Sequence, residues 1–131
     1  EMAAGDDRIS FVGYVTGSTV GELYSNACVF ALPSDLEGMS NSLLEAMSYG
    51  DCCFLSDIPE NVEPAGECAA YFHAGDVEDC RKRLQELLDN PGRISSLGTS
   101  AKEHVLSSYS WDGAVDLTLD VYRRVVECGR L

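Results

Sequence analysis

Positive charge is what this chain has least of. Nine Lys and Arg stand against 22 Asp and Glu in 131 residues, a formal net charge of −13. That balance excludes a nucleic-acid or anionic-membrane surface, since both need clustered basic residues. Histidine is scarce too: His73 and His104 have no partner in motif spacing and read as surface or core residues. With no Cys-x-x-Cys pair either, a zinc site is excluded. The Asp6-Asp7 pair resembles a metal-binding diacid only superficially. No hydrophobic run approaches transmembrane length, and the start carries no signal-peptide pattern. Repeats and low-complexity segments are absent as well.

What is present suits one domain: 45% hydrophobic residues for a core and 24% charged residues for its surface. Six cysteines are many for this length. Cys28, Cys52 and Cys53 sit in apolar runs, where a free thiol behaves as a small hydrophobe, so reduced core cysteines and a cytoplasmic protein are expected.

The pattern along the chain alternates strand with helix. Ile9–Val15 reads as a first strand, Cys28–Leu32 as a doubly buried one stopped by Pro33, Cys52–Ser56 as a third and Ala69–Phe72 as a short fourth. Thr19-x-x-Glu22 reads as a capping box opening a short helix. Ser40 or Asn41 caps the next, with Ser42-x-x-Glu45 a possible box, and Gly50 ends it. Three helices follow, capped at Asp76, started by Pro91 and capped at Ser110; the stripe from Trp111 through Tyr122 reads as packing. The expected fold is α/β: a partial Rossmann-like parallel sheet of about four strands flanked by helices, with a helical C-terminus. A sheet of four is small for a doubly wound domain, so residues 1–131 read as part of something larger.

The most informative segment is Leu32 to Gly50. A strand ends, a Gly/Ser/Asn turn follows, and a helix opens between two glutamates, Glu37 and Glu45, with seven residues between them. Free N–H groups and the positive end of the macrodipole suit a diphosphate at such a helix start. A glutamate beside it can accept hydrogen bonds from a sugar or ribose diol. One strand-turn-helix thus offers both contacts that a nucleotide-sugar needs.

Phe11-Val12-Gly13-Tyr14-Val15, Leu32-Pro33-Ser34, Glu37-Gly38, Leu44-Glu45-Ala46-Met47, Gly50 and the closing Tyr109-Ser110-Trp111 resemble the C-terminal, donor-binding domain of family 4 retaining glycosyltransferases, which have the two-domain glycosyltransferase B fold. The resemblance runs from about Arg8 to the C-terminus in one register. It implies transfer of a hexosyl group from a nucleoside-diphosphate sugar, of UDP or GDP type, to a glycan or lipid-linked acceptor with retention of configuration. It implies no metal and no cofactor beyond that donor substrate. By resemblance Glu37 is the catalytic residue, its carboxylate facing the donor sugar and stabilising the positive charge that develops at its anomeric carbon. Glu45 takes the ribose hydroxyls, the backbone of Gly38, Met39, Ser40, Asn41 and Ser42 faces the distal phosphate and sugar, and Tyr14 and Val15 lie near the base. Plainer roles stay open: a capping-box Glu45, a solvated Glu37, an ordinary N-cap turn, a packed strand end at Tyr14.

Two departures stand out. Gly38-Met39-Ser40 replaces the glycine pair that many members have after the first Glu. The family's upstream strand-helix units, their basic pair and the acceptor domain have no counterpart here. The resemblance therefore implies an N-terminally truncated half of the enzyme, inactive alone, cytoplasmic or at the inner membrane surface through its missing domain. Asp57, Glu60 and Glu63 read as cleft rim or solvated loop. Two other classes share such a scaffold, a non-catalytic nucleotide-sugar-binding module and a nucleotide-sugar epimerase-like domain. The epimerase's catalytic histidines and acids have no match here, and a receiver-type signalling domain would need a strand-end lysine that neither Lys82 nor Lys102 supplies.

Overall fold

The structure, a computed structural model, describes residues 5–129. Glu1–Ala4 at the start and Arg130–Leu131 at the end lie outside them. Three strands form one parallel sheet in the order β1 (Phe30–Leu32), β2 (Cys53–Ser56), β3 (Ala70–Phe72). Phe30 pairs with Cys53 and Phe54 with Ala70, so the strands run in step and their carboxyl ends line one edge. Helices connect and cover them: α1 (Ser18–Asn26), α2 (Asn41–Tyr49), α3 (Pro59–Ala65), α4 (Val77–Leu88), α5 (Pro91–Ser108) and α6 (Trp111–Cys128), with a 3₁₀ turn over Gly66–Cys68.

The parallel α/β fold and the helical C-terminus stand as expected, with three strands rather than about four. Ile9–Val15 pairs with nothing among the described residues, and Phe11 is 84% and Tyr14 95% exposed. A strand gains stability from ladder partners and from cover on its faces, and this segment has neither. Tyr14 is therefore no packed strand end. The Thr19-x-x-Glu22 box is also corrected: α1 starts two residues earlier, behind Gly17 at φ 66°, with no side-chain cap bond. Residues 59–65, expected as loop, form α3, because Pro59 at the first helical position needs no N–H partner.

β2 is buried on both faces and divides two cores. Cys53 and Leu55 face Leu43, Ala46 and Met47 of α2 with Ala101 and Val105 of α5. Cys52 and Phe54 face Phe72 and Leu87, with Ile94 and Leu97 of α5 packed alongside. This alternation is the two-residue period of a strand. All six cysteines are free thiols, and burial pushes Cys52 up to about 11 and Cys53 up to about 12, so both are inert at neutral pH.

α2 is tightly specified. The Ser40 hydroxyl accepts the Leu43 N–H at 3.4 Å. Gly50, left-handed at φ 87°, closes the helix by donating to Ala46 and Met47 carbonyls. α5 crosses here at a glycine: a Cβ on Gly98 would overlap the Gly50 carbonyl oxygen and sit 3.2 Å from its carbon. α6, by contrast, has no buried residue, and the stripe expected to pack stands in water, with Trp111 87% exposed.

Asp51, in the turn between α2 and β2, is 5% exposed, and its Oδ2 has no partner. Desolvation raises its carboxyl from 3.8 to about 6. The folded state thus binds this proton more tightly than the unfolded chain does. The cost of the buried charge is full above pH 6 and fades as pH falls toward 3.8. Asp51→Asn is expected to stabilise the chain by about 1–2 kcal/mol at pH 8, part of the gain being lost to the amide's own unmet hydrogen bonds. Urea midpoints of the two proteins should converge as pH is lowered from 8 to 5; a gap that is constant with pH contradicts the assignment.

Candidate functional site

The carboxyl edge of the sheet carries the loops that matter. Pro33 stops β1, and residues 33–40 run from its end to the start of α2. Glu37 is half-buried in this loop, and its Oε1 accepts the Ser34 hydroxyl at 2.6 Å. The Ser34 carbonyl in turn accepts the Ser56 hydroxyl at 2.6 Å, at the last residue of β2. Asn61 of α3, fully buried, donates to the Ser56 Oγ at 3.1 Å and to the Ser56 carbonyl at 3.2 Å.

Beyond this loop α2 begins. The hydroxyls of Ser40 and Ser42 lie 3.0 Å apart, and Ser40 is spent on the cap. The first N–H groups of the helix have no intrahelical acceptor and carry the positive dipole end. Gly38 is exposed with nothing near its would-be Cβ, while Met39 is 63% exposed. The turn is therefore open to solvent despite lacking a glycine pair.

On α2 the Glu45 carboxylate is exposed and makes no capping-box bond; Ser40 alone caps the helix. Its Oε2 accepts the Tyr24 hydroxyl at 3.3 Å, which leaves most of its acceptor capacity unused. Burial first, then the neighbouring Glu45, raises the Tyr24 phenol, so it stays a donor. The Tyr24 ring stacks against Tyr49 at 5.4 Å between centroids. Together these side chains wall an open hollow of ≈ 870 Å³. Tyr14, Val15 and the backbone of Gly13 and Gly17 close its other side, and none of its lining residues is basic.

Of the residues singled out in the sequence, the structure brings Tyr14, Val15 and Glu45 to this one hollow. Glu37, Gly38, Met39, Ser40, Asn41 and Ser42 do not line it; they form the loop and helix start that precede Glu45. Tyr24 and Tyr49 were not foreseen. Their signal was available, since Tyr24 lies on the predicted α1 and Tyr49 stands one turn beyond Glu45.

A second pair was also missed. Asp57 Oδ2 meets His73 Nδ1 at 2.6 Å, and Asp57 Oδ1 accepts the Ala74 N–H at 2.9 Å. These bonds, the backbone one foremost, lower the Asp57 carboxyl, and the Asp57 contact raises His73. Ser56 pairs with Phe72 across the parallel ladder, so the next residue of each strand is a neighbour. His104 Nε2 meets the Pro64 carbonyl oxygen at 3.0 Å, a structural contact. Among the described residues no cluster of three or more His, Cys, Asp or Glu could hold a metal ion. Likewise, no described helix is long and apolar enough to cross a membrane.

Residues 1–90 match the family described as "Glycosyl transferases group 1". An MMP alpha-(1->4)-mannosyltransferase of Mycolicibacterium hassiacum is 33% identical over 79% of this chain, which spans 26% of that protein. A sulfoquinovosyl transferase of Arabidopsis thaliana is 32% identical over 79% of the chain and 21% of its own length. Among solved structures, a sucrose-phosphate synthase from Thermosynechococcus elongatus superposes with a TM-score of 0.83 over 94% of this chain and 31% of that one. At 23% identity that likeness speaks for the fold alone. The chain thus spans about a quarter of the curated relatives it matches.

Proposed function

The chain belongs to the group 1 glycosyl transferases, and from that premise we propose that it is the donor-binding half of a two-domain enzyme. The enzyme moves a hexosyl group from a UDP- or GDP-sugar to a glycan or lipid-linked acceptor, with retention of configuration. The observation that carries this reading is the hollow that Glu45 lines together with Tyr14 and Val15. Its carboxylate has spare acceptor capacity toward a ribose diol, and its phenol partner Tyr24 fixes one oxygen. The base lies by Tyr14 and Val15, the diphosphate takes the open N–H groups from Gly38 to Ser42, and Glu37 faces the sugar. Ser40, already spent on the cap, contributes its backbone only.

The missing cation fits the same reading. A dianionic diphosphate held by amide dipoles alone, on a chain of net charge −13, is bound weakly. A second domain or an upstream segment supplies the positive charge. The hexosyl class draws on the mannosyltransferase among the relatives.

The test is Glu45→Ala in the two-domain enzyme, titrated calorimetrically with UDP and with GDP. Loss of charge-assisted hydrogen bonds to the diol is expected to weaken the preferred nucleotide roughly 10- to 100-fold. Unchanged affinity for a nucleotide that the parent binds removes the ribose role. An inverted product anomer, read by proton NMR, removes the assignment of retention.

A further inference from the structure

From the hydrogen-bond chain that ends on Glu37, we propose that Ser34, Ser56 and Asn61 are positioning residues for its carboxylate. The inference rests on the catalytic reading of Glu37 given above.

The chain runs through four residues: one in α3, one at the end of β2 and two in the loop after β1. Asn61 Nδ2 donates to the Ser56 Oγ at 3.1 Å. The Ser56 hydroxyl donates to the Ser34 carbonyl at 2.6 Å, and the Ser34 hydroxyl donates to Glu37 Oε1 at 2.6 Å. The Ser56 hydroxyl ends on the Ser34 main chain and so holds the backbone from which the Ser34 hydroxyl reaches the carboxylate. The burial grades the same way. Asn61 is 0% and Ser56 1% exposed, while Ser34 and Glu37 are half-buried at the sheet's edge. A rigid buried end thus holds a solvent-facing end.

The arrangement solves a local problem. Glu37 lies in a loop with no regular secondary structure, four residues before α2. A free glutamate there would sample several rotamers, and ordering it at the moment of reaction would raise the barrier. One oxygen is already committed to Ser34, so the other presents a fixed lone-pair direction to a substrate. The Ser56 bond extends the β1–β2 pairing past Leu32, where the strand proper has ended. It fixes the height of the loop above the sheet. Asn61 comes from α3, so the helix after β2 steadies the loop after β1.

The cost of the arrangement is visible at its buried end. Asn61 Oδ1 is buried and has no hydrogen-bond partner. Packing alone favours an apolar side chain at such a place. Retaining the amide accords with a role for its donor side, which holds Ser56 twice.

A double-mutant cycle tests the proposal in the two-domain enzyme, with kcat and donor KM measured for each variant. Ser34→Ala is expected to lower kcat roughly tenfold with donor KM within about twofold, since one hydrogen bond to a charged group is lost. Ser34→Thr, which keeps the hydroxyl, is expected to restore most of the rate. In a Glu37→Gln background Ser34→Ala is expected to cost less than twofold further, because Ser34 acts through the charge already removed. Ser56→Ala should behave like Ser34→Ala, and melting temperatures of all variants guard against general unfolding. A loss in Glu37→Gln with none in Ser34→Ala, or fully additive losses, overturns the positioning role alone. Unchanged turnover in Glu37→Gln overturns the catalytic reading of Glu37 and this inference with it.

Discussion

Exchanging Glu37 for Gln in the two-domain enzyme is expected to reduce kcat roughly a hundredfold while donor KM moves less than about threefold. Gln has the same length and keeps an oxygen where Ser34 donates, so the loop geometry survives the change. Only the negative charge is lost. A full charge beside an oxocarbenium-like centre stabilises the transition state more than the neutral donor, and such a differential effect appears in kcat rather than KM. Removing one preorganised electrostatic contact in an active site commonly costs a hundredfold or more in rate. Initial rates at saturating donor decide the matter. A raised KM with intact kcat would mean that Glu37 holds sugar hydroxyls in the ground state and does nothing more at the transition state.

The second large effect is structural and can be read on this chain alone. Gly98→Ala is expected to destabilise it by at least about 3 kcal/mol, with a fall in melting temperature of roughly 10 °C. Two terms oppose each other here. Alanine is favoured over glycine inside a helix by about 1 kcal/mol. Against that, the new Cβ would overlap the Gly50 carbonyl oxygen, and both partners are backbone. Neither can swing aside as a flexible side chain would. Gly50 is itself committed to a left-handed helix end, so the clash is relieved only by parting α2 from α5. That separation opens the Leu43, Met47, Ala101 and Val105 core. Urea unfolding that shows a change below about 1 kcal/mol would mean the two helices separate at little cost.

Much of this was legible in the sequence, for identifiable reasons. Leu32-Pro33 marked a strand end because proline cannot continue a ladder, and Ser40 and Gly50 marked the ends of α2 because their chemistry suits caps. Asp76 and Ser110 did the same for α4 and α6, accepting the Asp79 and Gly113 N–H groups. Two of the failures were matters of tertiary context. Ile9–Val15 has the composition of a strand, yet composition does not supply a neighbouring strand to pair with. The Trp111 stripe has helical spacing, and α6 is indeed a helix, but spacing does not say what the face meets. α3 was hidden by its two prolines, Pro59 and Pro64, which usually speak against a helix.

The candidate site divides along the same line. Glu45, Tyr14 and Val15 lie far apart in the chain and still line one hollow, which a motif could suggest and only a fold could assemble. The Tyr24 hydroxyl on Glu45 depends on α1 lying against α2, the Ser34 hydroxyl on Glu37 is a local bond within one loop, and the Asp57–His73 pair depends on which strand ends are neighbours. The parallel order β1-β2-β3 fixes that adjacency. Once it is known, Asp57 and His73 follow by counting one residue past each strand.

α5 carries one more implication. Its first half sends Ile94 and Leu97 into the core beneath α4, its second half sends Ala101 and Val105 into the core beneath α2, and Gly98 lies at the changeover. The helix is thus a tie beam between two compartments separated by the sheet. A rod seated at both ends cannot slide or tilt for one tenant alone, so looseness on the α4 side is transmitted to α2, the helix that brings Glu45 to the hollow. Sequence drift far from the hollow therefore has a mechanical route to it.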